Sequence, residues 1–596
     1  MAQELLMGNE AIAMGAIRAG VGVVTGYPGT PSTEILETIA KKNNGKIYVE
    51  WSINEKAALE VAAGAAYAGM RTLVTMKQVG LNVASDPVMS LAYIGIKGGM
   101  VIVVADDPGP ISSQTEQDTR QFGIFSKLPV FDPSSPEEAY LMIEDAFNYS
   151  EKYNTPVIFR PTTRVCHGCA SIEVDDKKHE IQVEGFIKDP KWVIFPRLSY
   201  QNHLKIEART PILSKDFSSY RFNSVVGSGK KGIATGGISF AYTSEALAKL
   251  EGESKLFKVS TPHPFPEKLA LEFLTGLEEV LVIEELDPVI EKELVYLCGK
   301  YNLSVKIKGK LTGHMPQAGE NTVEIVIKAV ASYLDIALEK IDIQEGIPEL
   351  PIRPPVLCAG CPHRASFYAV KQAMKGQKAV FSGDIGCYTL GNASPLNMVD
   401  TCLCMGAGIT IAQGLHRAEP DAKNFAFIGD STFFHSGIPG VVNAIYNETD
   451  IVLIVLDNST TAMTGHQPHP GTGKTMMGNV SEKIDISKVL TALGVENVTT
   501  CDPLNLKEAI SVVKGAATIK GVSAVIFKSP CIAVTKPSPL YVVDEDKCTG
   551  CKRCITELGC PAIVKLDSKV QIDSALCYGC SICAQVCPFD AIGGAK

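Results

Sequence analysis

The carboxyl-terminal tail carries a cysteine pattern that constrains this chain more than any other feature. Eight of the 18 cysteines lie between Cys548 and Cys587. They form two runs, Cys548-x2-Cys551-x2-Cys554-x5-Cys560-Pro561 and Cys577-x2-Cys580-x2-Cys583-x3-Cys587-Pro588. Metal ligation explains such a density, whereas packing in a core does not, and four thiolates suit iron–sulfur clusters or zinc equally well. The tail therefore predicts two metal centres, each held by four cysteines.

The order of these cysteines predicts how they divide between the two centres. In two-cluster ferredoxins, three closely spaced cysteines hold one 4Fe–4S cluster and the fourth ligand comes from the other run. One cluster is expected to use Cys548, Cys551, Cys554 and Cys587, and the other Cys577, Cys580, Cys583 and Cys560. The first run has two more residues before its last cysteine than usual, which predicts a longer loop and no lost ligand. A pair of zinc knuckles is the alternative.

Composition and charge limit the class of protein. At 596 residues the chain is too long for one core, and its net charge of −9 argues against general binding to nucleic acid or anionic membranes. No basic segment followed by an apolar run opens the sequence, and runs such as Val101–Ala105 are too short to span a bilayer. We therefore expect a cytoplasmic protein whose thiols are free of disulfides and whose clusters make it oxygen-sensitive.

The rest of the chain alternates short apolar strands with amphipathic helices, which predicts a multidomain α/β fold. The first block spans residues 1–180, the second 229–345 and the third 351–539, and each is expected to be doubly wound. Residues 181–228 are polar and irregular in pattern, and we expect them to be a connecting segment. A ferredoxin-like α+β tail over 541–596 completes the chain.

Polar residues follow two predicted strands of the third block. Phe425–Ile428 leads to Gly429-Asp430-Ser431, and after a predicted helix, about Ile438–Tyr446, the strand Ile451–Leu456 leads to Asp457-Asn458. Parallel strands of a βαβ unit end at the same edge of a sheet, where doubly wound folds bind ligands. A carboxylate and an amide oxygen at that edge, with diphosphate oxygens and water, make a suitable ligand set for Mg²⁺.

This pattern resembles the thiamin diphosphate motif, in which Gly-Asp is followed by an Asn about 28 residues later. The continuation Thr464-Gly465-His466-Gln467 is similar to that of 2-oxoacid:ferredoxin oxidoreductases. The resemblance implies that Gly429, Asp430 and Asn458 bind the cofactor and its metal, and that the backbone carbonyl of Thr460 is a further ligand. Ser431 stands where many members have Gly, which is expected to alter the turn and leave the ligand in place.

The first block resembles the other half of a thiamin site. Glu55 opens a small-residue helix, as does the glutamate that contacts the aminopyrimidine ring in such enzymes and exchanges a proton with N1′. Thr30, in Tyr27–Ser32, is similar to the residue whose hydroxyl meets the 2-oxoacid. Arg120 resembles the position whose guanidinium pairs with the substrate carboxylate. A surface glutamate and a solvated arginine are the alternatives for Glu55 and Arg120.

A third cluster is predicted within the third block. Cys358-x2-Cys361, Cys387 and Cys531 are spread along it in the order that marks the cluster nearest thiamin in 2-oxoacid:ferredoxin oxidoreductases. The alternative is that they are ordinary buried thiols. Cys402 and Cys404 are expected to pack at the start of the helix that follows Gly406.

The order of the blocks resembles the large subunits of indolepyruvate:ferredoxin oxidoreductases over essentially the whole chain. The resemblance implies that aryl 2-oxoacids and coenzyme A give aryl-acetyl-CoA, CO₂ and reduced ferredoxin, with a separate small beta subunit as partner. Pyruvate or a branched 2-oxoacid is an alternative substrate. A non-oxidative thiamin diphosphate decarboxylase or a non-enzymatic electron carrier remains as an alternative class; the first would not need the tail.

Overall fold

The computed structural model describes residues 2–175, 179, 183–338, 348 and 350–595. The chain forms two compact units, Met1–Glu345 and Gly346–Lys596. The first unit contains the first and second blocks, and the second unit contains the third block together with the tail. The predicted α/β class with an α+β tail is confirmed; the finer division into five parts stays a prediction.

The first block is built around a six-stranded sheet that is parallel throughout. Its strands, in spatial order, are Tyr48–Trp51, Val23–Gly26, Thr72–Lys77, Met100–Ala105, Val157–Phe159 and Val130–Phe131. Its helices are Gly8–Arg18, Thr33–Lys42, Glu55–Tyr67, Gln78–Ile94, Thr119–Ser126, Pro136–Tyr153 and Thr163–His167. Strands Ala2–Met7 and Cys169–Val174 form a separate antiparallel pair. Every residue of Met100–Ala105 is buried, as expected for a strand covered by helices on both faces.

The second block has a five-stranded sheet with one antiparallel edge strand. Its strands, in spatial order, are Lys306–Lys308, Glu279–Ile283, Lys231–Gly236, Lys255–Val259 and the antiparallel Ser224–Val226. Its helices are Ile238–Leu250, Glu267–Leu274, Val289–Tyr301 and Val323–Leu334.

The segment 181–228, predicted as an irregular connection, contains the 22-residue helix Pro196–Phe217. Only Asn202, Ile206, Leu213 and Phe217 of this helix are buried. Three buried apolar positions along 22 residues give a weak apolar periodicity, and Pro211 lies inside the helix, so the sequence pattern did not indicate this helix.

Buried charges join the first and second blocks within the first unit. The Arg120 guanidinium, 1% exposed, donates to the carboxylates of Asp118 and Glu284 at 2.7 and 2.8 Å and to the backbone oxygens of Glu285 and Asp287 at 2.6 and 2.9 Å. Arg120 therefore links residues of the two blocks that are far apart in sequence.

Glu285 lies beside this ion network and is itself buried. One of its carboxylate oxygens accepts a hydrogen bond of 2.9 Å from the backbone N–H of Asn321. Burial raises the pKa of Glu285 from 4.5 to about 7, although the Asn321 N–H and Arg160 favour the charged form. The stabilising contribution of the neutral carboxyl is therefore complete below pH 4.5 and is lost as the pH rises through about 7.

We expect Glu285→Gln to remove this pH dependence, because an amide keeps an acceptor for Asn321 and cannot ionise. Relative to the parent protein, the variant should gain roughly 3 kcal/mol of unfolding free energy as the pH rises from 4.5 to above about 7. Thermal unfolding midpoints of both proteins across the pH range measure the effect. The exposed Glu278→Gln is the control, and parallel pH curves for parent and Glu285→Gln would contradict the prediction.

The third block has a five-stranded sheet that is parallel throughout. Its strands, in spatial order, are Ala379–Ser382, Lys423–Gly429, Ile451–Asp457, Val522–Lys528 and Asn497–Cys501. Its helices are Pro362–Ala373, Ala407–Ala418, Asp430–Thr432, the π-helical Phe433–Gly437, Ile438–Tyr446, Ile486–Ala492 and Leu506–Ala516, with 3₁₀ turns at Cys387–Asn392 and Ile532–Val534.

The tail consists of two short antiparallel strand pairs and two short helices. Tyr541–Val543 pairs with Ile592–Gly594, and Ile563–Leu566 pairs with Lys569–Ile572. The helices are Arg553–Thr556 and Ile582–Val586. The tail shares a buried apolar cluster with the third block, formed by Ala365, Tyr368, Leu506, Leu558, Ile582 and Val586. Within the described part of the chain, none of the helices combines the length and apolarity that a bilayer-spanning segment requires.

Candidate functional site

The carboxyl ends of two neighbouring strands of the third block carry the predicted metal-binding residues. Lys423–Gly429 and Ile451–Asp457 are parallel, and Gly429 stands opposite Leu456. Asp430 and Asn458 therefore leave the sheet at the same edge, as the βαβ pattern predicts. Both side chains are buried.

The Asp430 carboxylate is oriented by three donors. Its Oδ1 accepts from the N–H of Ser431 at 2.9 Å, and its Oδ2 accepts from the N–H of Ser459 at 2.8 Å. His469 Nε2 lies 3.1 Å from Oδ2, while the N–H of Gly471 donates to His469 Nδ1 at 3.2 Å. Because Nδ1 is an acceptor, the proton of a neutral imidazole is on Nε2 and is donated to Asp430. Oδ1 keeps acceptor capacity for a metal ion.

Asn458 and its neighbours provide further oxygen atoms that are suited to a metal ion. Asn458 Oδ1 accepts from the N–H of Thr460 at 3.2 Å, and both residues are buried. The neighbouring Asp457 has a raised pKa, first because of burial and then because of the negative charge of Asp430. The buried carboxylate of Asp430 and the partly buried carboxyl of Asp457, with amide and carbonyl oxygens beside them, fit a hard divalent cation such as Mg²⁺.

The sequence pattern gave no role to four side chains at this edge, those of His363, Asp384, Tyr388 and His469. His363 Nε2 lies 3.5 Å from Asn458 Nδ2. The Tyr388 hydroxyl donates to Asp384 Oδ2 at 3.1 Å. Burial raises the pKa of Asp384 to about 6, although its hydrogen bonds favour the charged form.

Gly429 makes room for Tyr388. A Cβ atom on Gly429 would lie 2.6 Å from the Tyr388 ring. This close approach is a physical reason for glycine directly before Asp430.

The first block brings Thr30 and Glu55 to one sheet edge. They follow the adjacent parallel strands Val23–Gly26 and Tyr48–Trp51. Glu55 is 6% exposed and begins a helix that is capped by the Asn54 side chain, which accepts from Ala57 N–H at 2.8 Å. Thr30 is half-buried.

Space for the Glu55 carboxyl is made by Gly80, where a Cβ atom would lie 2.5 Å from Glu55 Oε1. The sequence pattern gave no role to Lys77. This side chain interacts electrostatically with Glu55, and burial lowers the pKa of Lys77. The Glu55 carboxyl thus lies in a buried setting with a cation nearby.

The Arg120 guanidinium does not lie where it could pair freely with a substrate carboxylate, as the resemblance implies. Its guanidinium is enclosed by Asp118, Glu284 and two backbone oxygens of the second block. A bidentate pair with a substrate carboxylate would have to displace these partners, and a solvated surface position is excluded by its 1% exposure. We therefore leave Arg120 out of the proposed substrate contacts and assign it to the ion network.

The tail cysteines surround two cavities, each lined by one of the predicted sets. Cys548, Cys551, Cys554 and Cys587, here called the far tail quartet, line one cavity. Cys560, Cys577, Cys580 and Cys583 line the other and are here called the near tail quartet, because Ala359 and Gly360 of the third block also line their cavity. Each set of thiols around its cavity fits an iron–sulfur cluster.

The four cysteines of the third block also converge. Burial raises the pKa of Cys387 to about 11, and the neighbouring Cys531 and Cys358 add to this effect. Burial raises the pKa of Cys361 to about 12, with Cys358 again a neighbour. These four cysteines are here called the block quartet. Among the described residues, no three His, Cys, Asp or Glu side chains stand close enough together to hold a single metal ion.

Two cysteines differ from their predicted environment. Cys402 and Cys404 are exposed and do not pack at the start of helix Ala407–Ala418. Gly406 adopts a left-handed φ of 82° directly before that helix, and the loop before it stays at the surface.

Three family descriptions match the chain. "Pyruvate flavodoxin/ferredoxin oxidoreductase, thiamine diP-bdg" matches residues 14–213, and "Thiamine pyrophosphate enzyme, C-terminal TPP binding domain" matches 384–527. "4Fe-4S binding domain" matches 570–593. These matches confirm thiamin diphosphate-binding domains in the first and third blocks and an iron–sulfur domain in the tail.

Curated relatives match over nearly the whole chain. "Indolepyruvate oxidoreductase subunit IorA" of Methanothermobacter thermautotrophicus is 42% identical over 602 residues, covering 98% of this chain and 96% of the relative. The protein of the same name from Pyrococcus horikoshii is 42% identical over 630 residues, with the same coverage of 98% and 96%. "2-oxoglutarate synthase subunit KorA" of Methanocaldococcus jannaschii is 31% identical over 177 residues, covering 28% of this chain and 48% of the relative.

We expect His469→Phe to weaken Mg²⁺-dependent binding of thiamin diphosphate, because Asp430 loses the donor that orients it. Partners of this kind are typically worth about 10- to 100-fold in metal affinity. Titration of cofactor-free protein with thiamin diphosphate at several Mg²⁺ concentrations, followed by circular dichroism, measures the change. The exposed His466→Ala is the control. Equal Mg²⁺ dependence in His469→Phe and the parent protein would remove His469 from the site.

Proposed function

The chain belongs to the 2-oxoacid:ferredoxin oxidoreductase family, and we propose that it is the thiamin-binding large subunit of an indolepyruvate oxidoreductase. The proposed reaction converts an aryl 2-oxoacid anion, coenzyme A and two oxidised ferredoxins to aryl-acetyl-CoA, CO₂, two reduced ferredoxins and one proton. The name shared by the relatives that match 98% of the chain supports the aryl substrate.

One contact carries the oxidative part of the proposal. The backbone N–H of Cys531 donates to the carbonyl of Asn458 at 2.9 Å. A thiol of the block quartet is thereby tied to a residue of the proposed metal site. A decarboxylase that simply protonates its intermediate has no use for an electron acceptor at this position, whereas an enzyme that oxidises the intermediate needs one nearby.

The residues of the chain have distinct proposed roles. Thiamin diphosphate, when bound, supplies an electron sink for the carbanion left by loss of CO₂. Glu55 holds or releases the proton at N1′ of the aminopyrimidine ring, and the Thr30 hydroxyl orients the 2-oxoacid. Asp430, Asn458 and the Thr460 carbonyl hold Mg²⁺, to which the diphosphate binds.

The proposal includes partners and a cellular location. We propose a smaller beta subunit, coenzyme A as acyl acceptor and ferredoxin as electron acceptor. The words "subunit IorA" in the names of the relatives support a multi-subunit enzyme. The 18 cysteines, all free, suit the reducing cytoplasm that we propose.

A panel of substrates tests this function. The chain is co-purified anaerobically with its beta subunit, and reduction of ferredoxin is followed with indolepyruvate, phenylpyruvate, pyruvate and a branched 2-oxoacid. We expect the two aryl substrates to give the highest kcat/KM and reduction to require coenzyme A. A preference for pyruvate or a branched substrate would refute the aryl assignment. CO₂ release without ferredoxin reduction would favour a non-oxidative decarboxylase.

We expect Glu55→Gln to bind thiamin diphosphate and lose turnover by about 10²- to 10⁴-fold, because an amide cannot exchange a proton with N1′. Asp430→Ala is the matched variant: it should weaken cofactor binding, so that excess Mg²⁺ and cofactor restore part of the rate. The comparison of kcat at saturating cofactor separates the two roles. Turnover of Glu55→Gln near that of the parent would remove Glu55 from the mechanism.

Iron analysis tests the number of clusters. Three cysteine quartets predict about twelve iron atoms per chain in anaerobically purified protein, four for each cluster. The variant Cys387→Ser is expected to retain about eight and to keep the tail clusters. A value of about eight in the parent protein would refute the third cluster and leave the block quartet as ordinary thiols.

A further inference from the structure

The near tail quartet and the block quartet share a boundary. The cavity lined by Cys560, Cys577, Cys580 and Cys583 is closed on one side by Ala359 and Gly360, which stand between Cys358 and Cys361 of the block quartet. The lining of the far tail cavity, by contrast, consists of residues 548–592 alone. The loop that carries Cys358 and Cys361 of the block quartet thus also lines the cavity of the near tail quartet.

Arg364 spans this boundary. Its Nη1 donates to the carbonyls of Leu558 and Gly559 at 2.6 and 2.9 Å, directly before Cys560 of the near tail quartet. Its Nη2 donates to the carbonyl of Leu357 at 2.5 Å, directly before Cys358 of the block quartet. The side chain is 4% exposed. One planar guanidinium therefore binds the segments that precede a ligand of each quartet.

One nitrogen of the Arg364 guanidinium group is still available to a cluster. The buried Nε of Arg364 has no hydrogen-bond acceptor among the described residues. A cluster sulfur is an acceptor that would satisfy it, which fits clusters on the adjacent thiols.

Tyr578 forms a second bridge. It follows Cys577 of the near tail quartet, and its hydroxyl donates to the carbonyl of Ile532, the residue after Cys531, at 2.5 Å. The Tyr578 side chain lies against Gly360, where a Cβ atom would be 2.4 Å from the Tyr578 Cβ. Gly360 also has a left-handed φ of 77°, so no other residue fits there without strain.

We propose that Arg364 and Tyr578 are positioning residues that fix the separation of the block quartet and the near tail quartet, so that electrons enter the tail at the near tail quartet. The inference rests on the proposed function, because it needs clusters on both quartets. Each transfer moves one electron: the group on the block quartet is oxidised by one electron, and the group on the near tail quartet is reduced by one. The electrons come from the 2-oxoacid and leave to ferredoxin, two per turnover.

Two conservative variants test the bridges. Arg364→Lys keeps the charge, but a single ammonium lacks the fork that reaches both segments. Tyr578→Phe keeps the ring against Gly360 and removes only the hydroxyl. Tyr368→Phe is the matched control: the Tyr368 hydroxyl donates to Glu557 Oε2 at 2.7 Å, also between the third block and the tail, but neither residue is adjacent to a cysteine.

The measurement uses the anaerobic holoenzyme with its beta subunit, mixed rapidly with 2-oxoacid and coenzyme A and frozen at intervals for electron paramagnetic resonance. We expect both test variants to retain the iron content of the parent and the same spectra after dithionite reduction of each cluster. The rate at which substrate reduces the tail clusters should fall about 10- to 100-fold, the usual cost of losing such a partner. The magnetic interaction between the block and tail clusters should weaken, whereas Tyr368→Phe should match the parent in both respects.

If Tyr578→Phe retains its iron and substrate reduces its tail clusters at the rate of the parent, the proposed role of the bridge is wrong. If Arg364→Lys loses iron, the result for Tyr578→Phe alone decides. Reduction of the far tail cluster before the near one would overturn the order of transfer. A parent protein with about eight iron atoms would instead refute the third cluster of the proposed function. The two failures are therefore distinguishable.

Discussion

The parallel pairing of Lys423–Gly429 with Ile451–Asp457 is the constraint on which the candidate site depends. It brings Asp430 and Asn458 to one edge, and the pairing of Ile451–Asp457 with Val522–Lys528 brings a third chain segment beside them. Beyond the last paired residues, Ser529 N–H donates to Asp457 O at 3.0 Å and Cys531 N–H donates to Asn458 O at 2.9 Å. The backbone ladder thus continues past the sheet. The predicted metal ligand Asn458 and the thiol-bearing Cys531 are held together by the same kind of hydrogen bond that joins the strands.

The buried carboxylates of the two units differ in the cations beside them. In the first unit, Arg120 and Arg160 form ion pairs with buried carboxylates, although burial still raises the pKa of Asp106 to about 6. In the third block, Asp384 is buried and Asp457 is partly buried, and burial is the first cause of the raised pKa of both carboxyls. A bound divalent cation would supply the positive charge that the chain itself provides in the first unit. This comparison supports both the assignment of Arg120 to the ion network and the metal role that we propose for Asp430.

Features governed by short spacing could be predicted from the sequence. The tail cysteines and the strand ends at Asp430 and Asn458 depend on intervals of a few residues or on one βαβ unit, and helix Ile438–Tyr446 has the predicted bounds. Arg120 could not be placed correctly, because its partner Glu284 is 164 residues away. His469 was missed for a related reason: its role depends on the loop after Asn458 folding back towards Asp430, 39 residues earlier. No spacing rule describes that loop. The helix Pro196–Phe217 was missed because it buries too few residues to show a period.

Helix Pro362–Ala373 is buried on two sides, and this has a consequence for how such chains can be recombined. Phe367 and Val370 belong to the core of the third block, whereas Ala365 and Tyr368 belong to the cluster shared with the tail. A tail cut from this chain would leave apolar surface exposed, which favours aggregation. A foreign redox domain fused in its place would meet a surface shaped for Leu558, Ile582 and Val586. A tail that is exchanged between two such enzymes would therefore have to include this helix as well as the cysteines. The exchangeable segment is thus larger than the domain that the cysteine pattern alone defines.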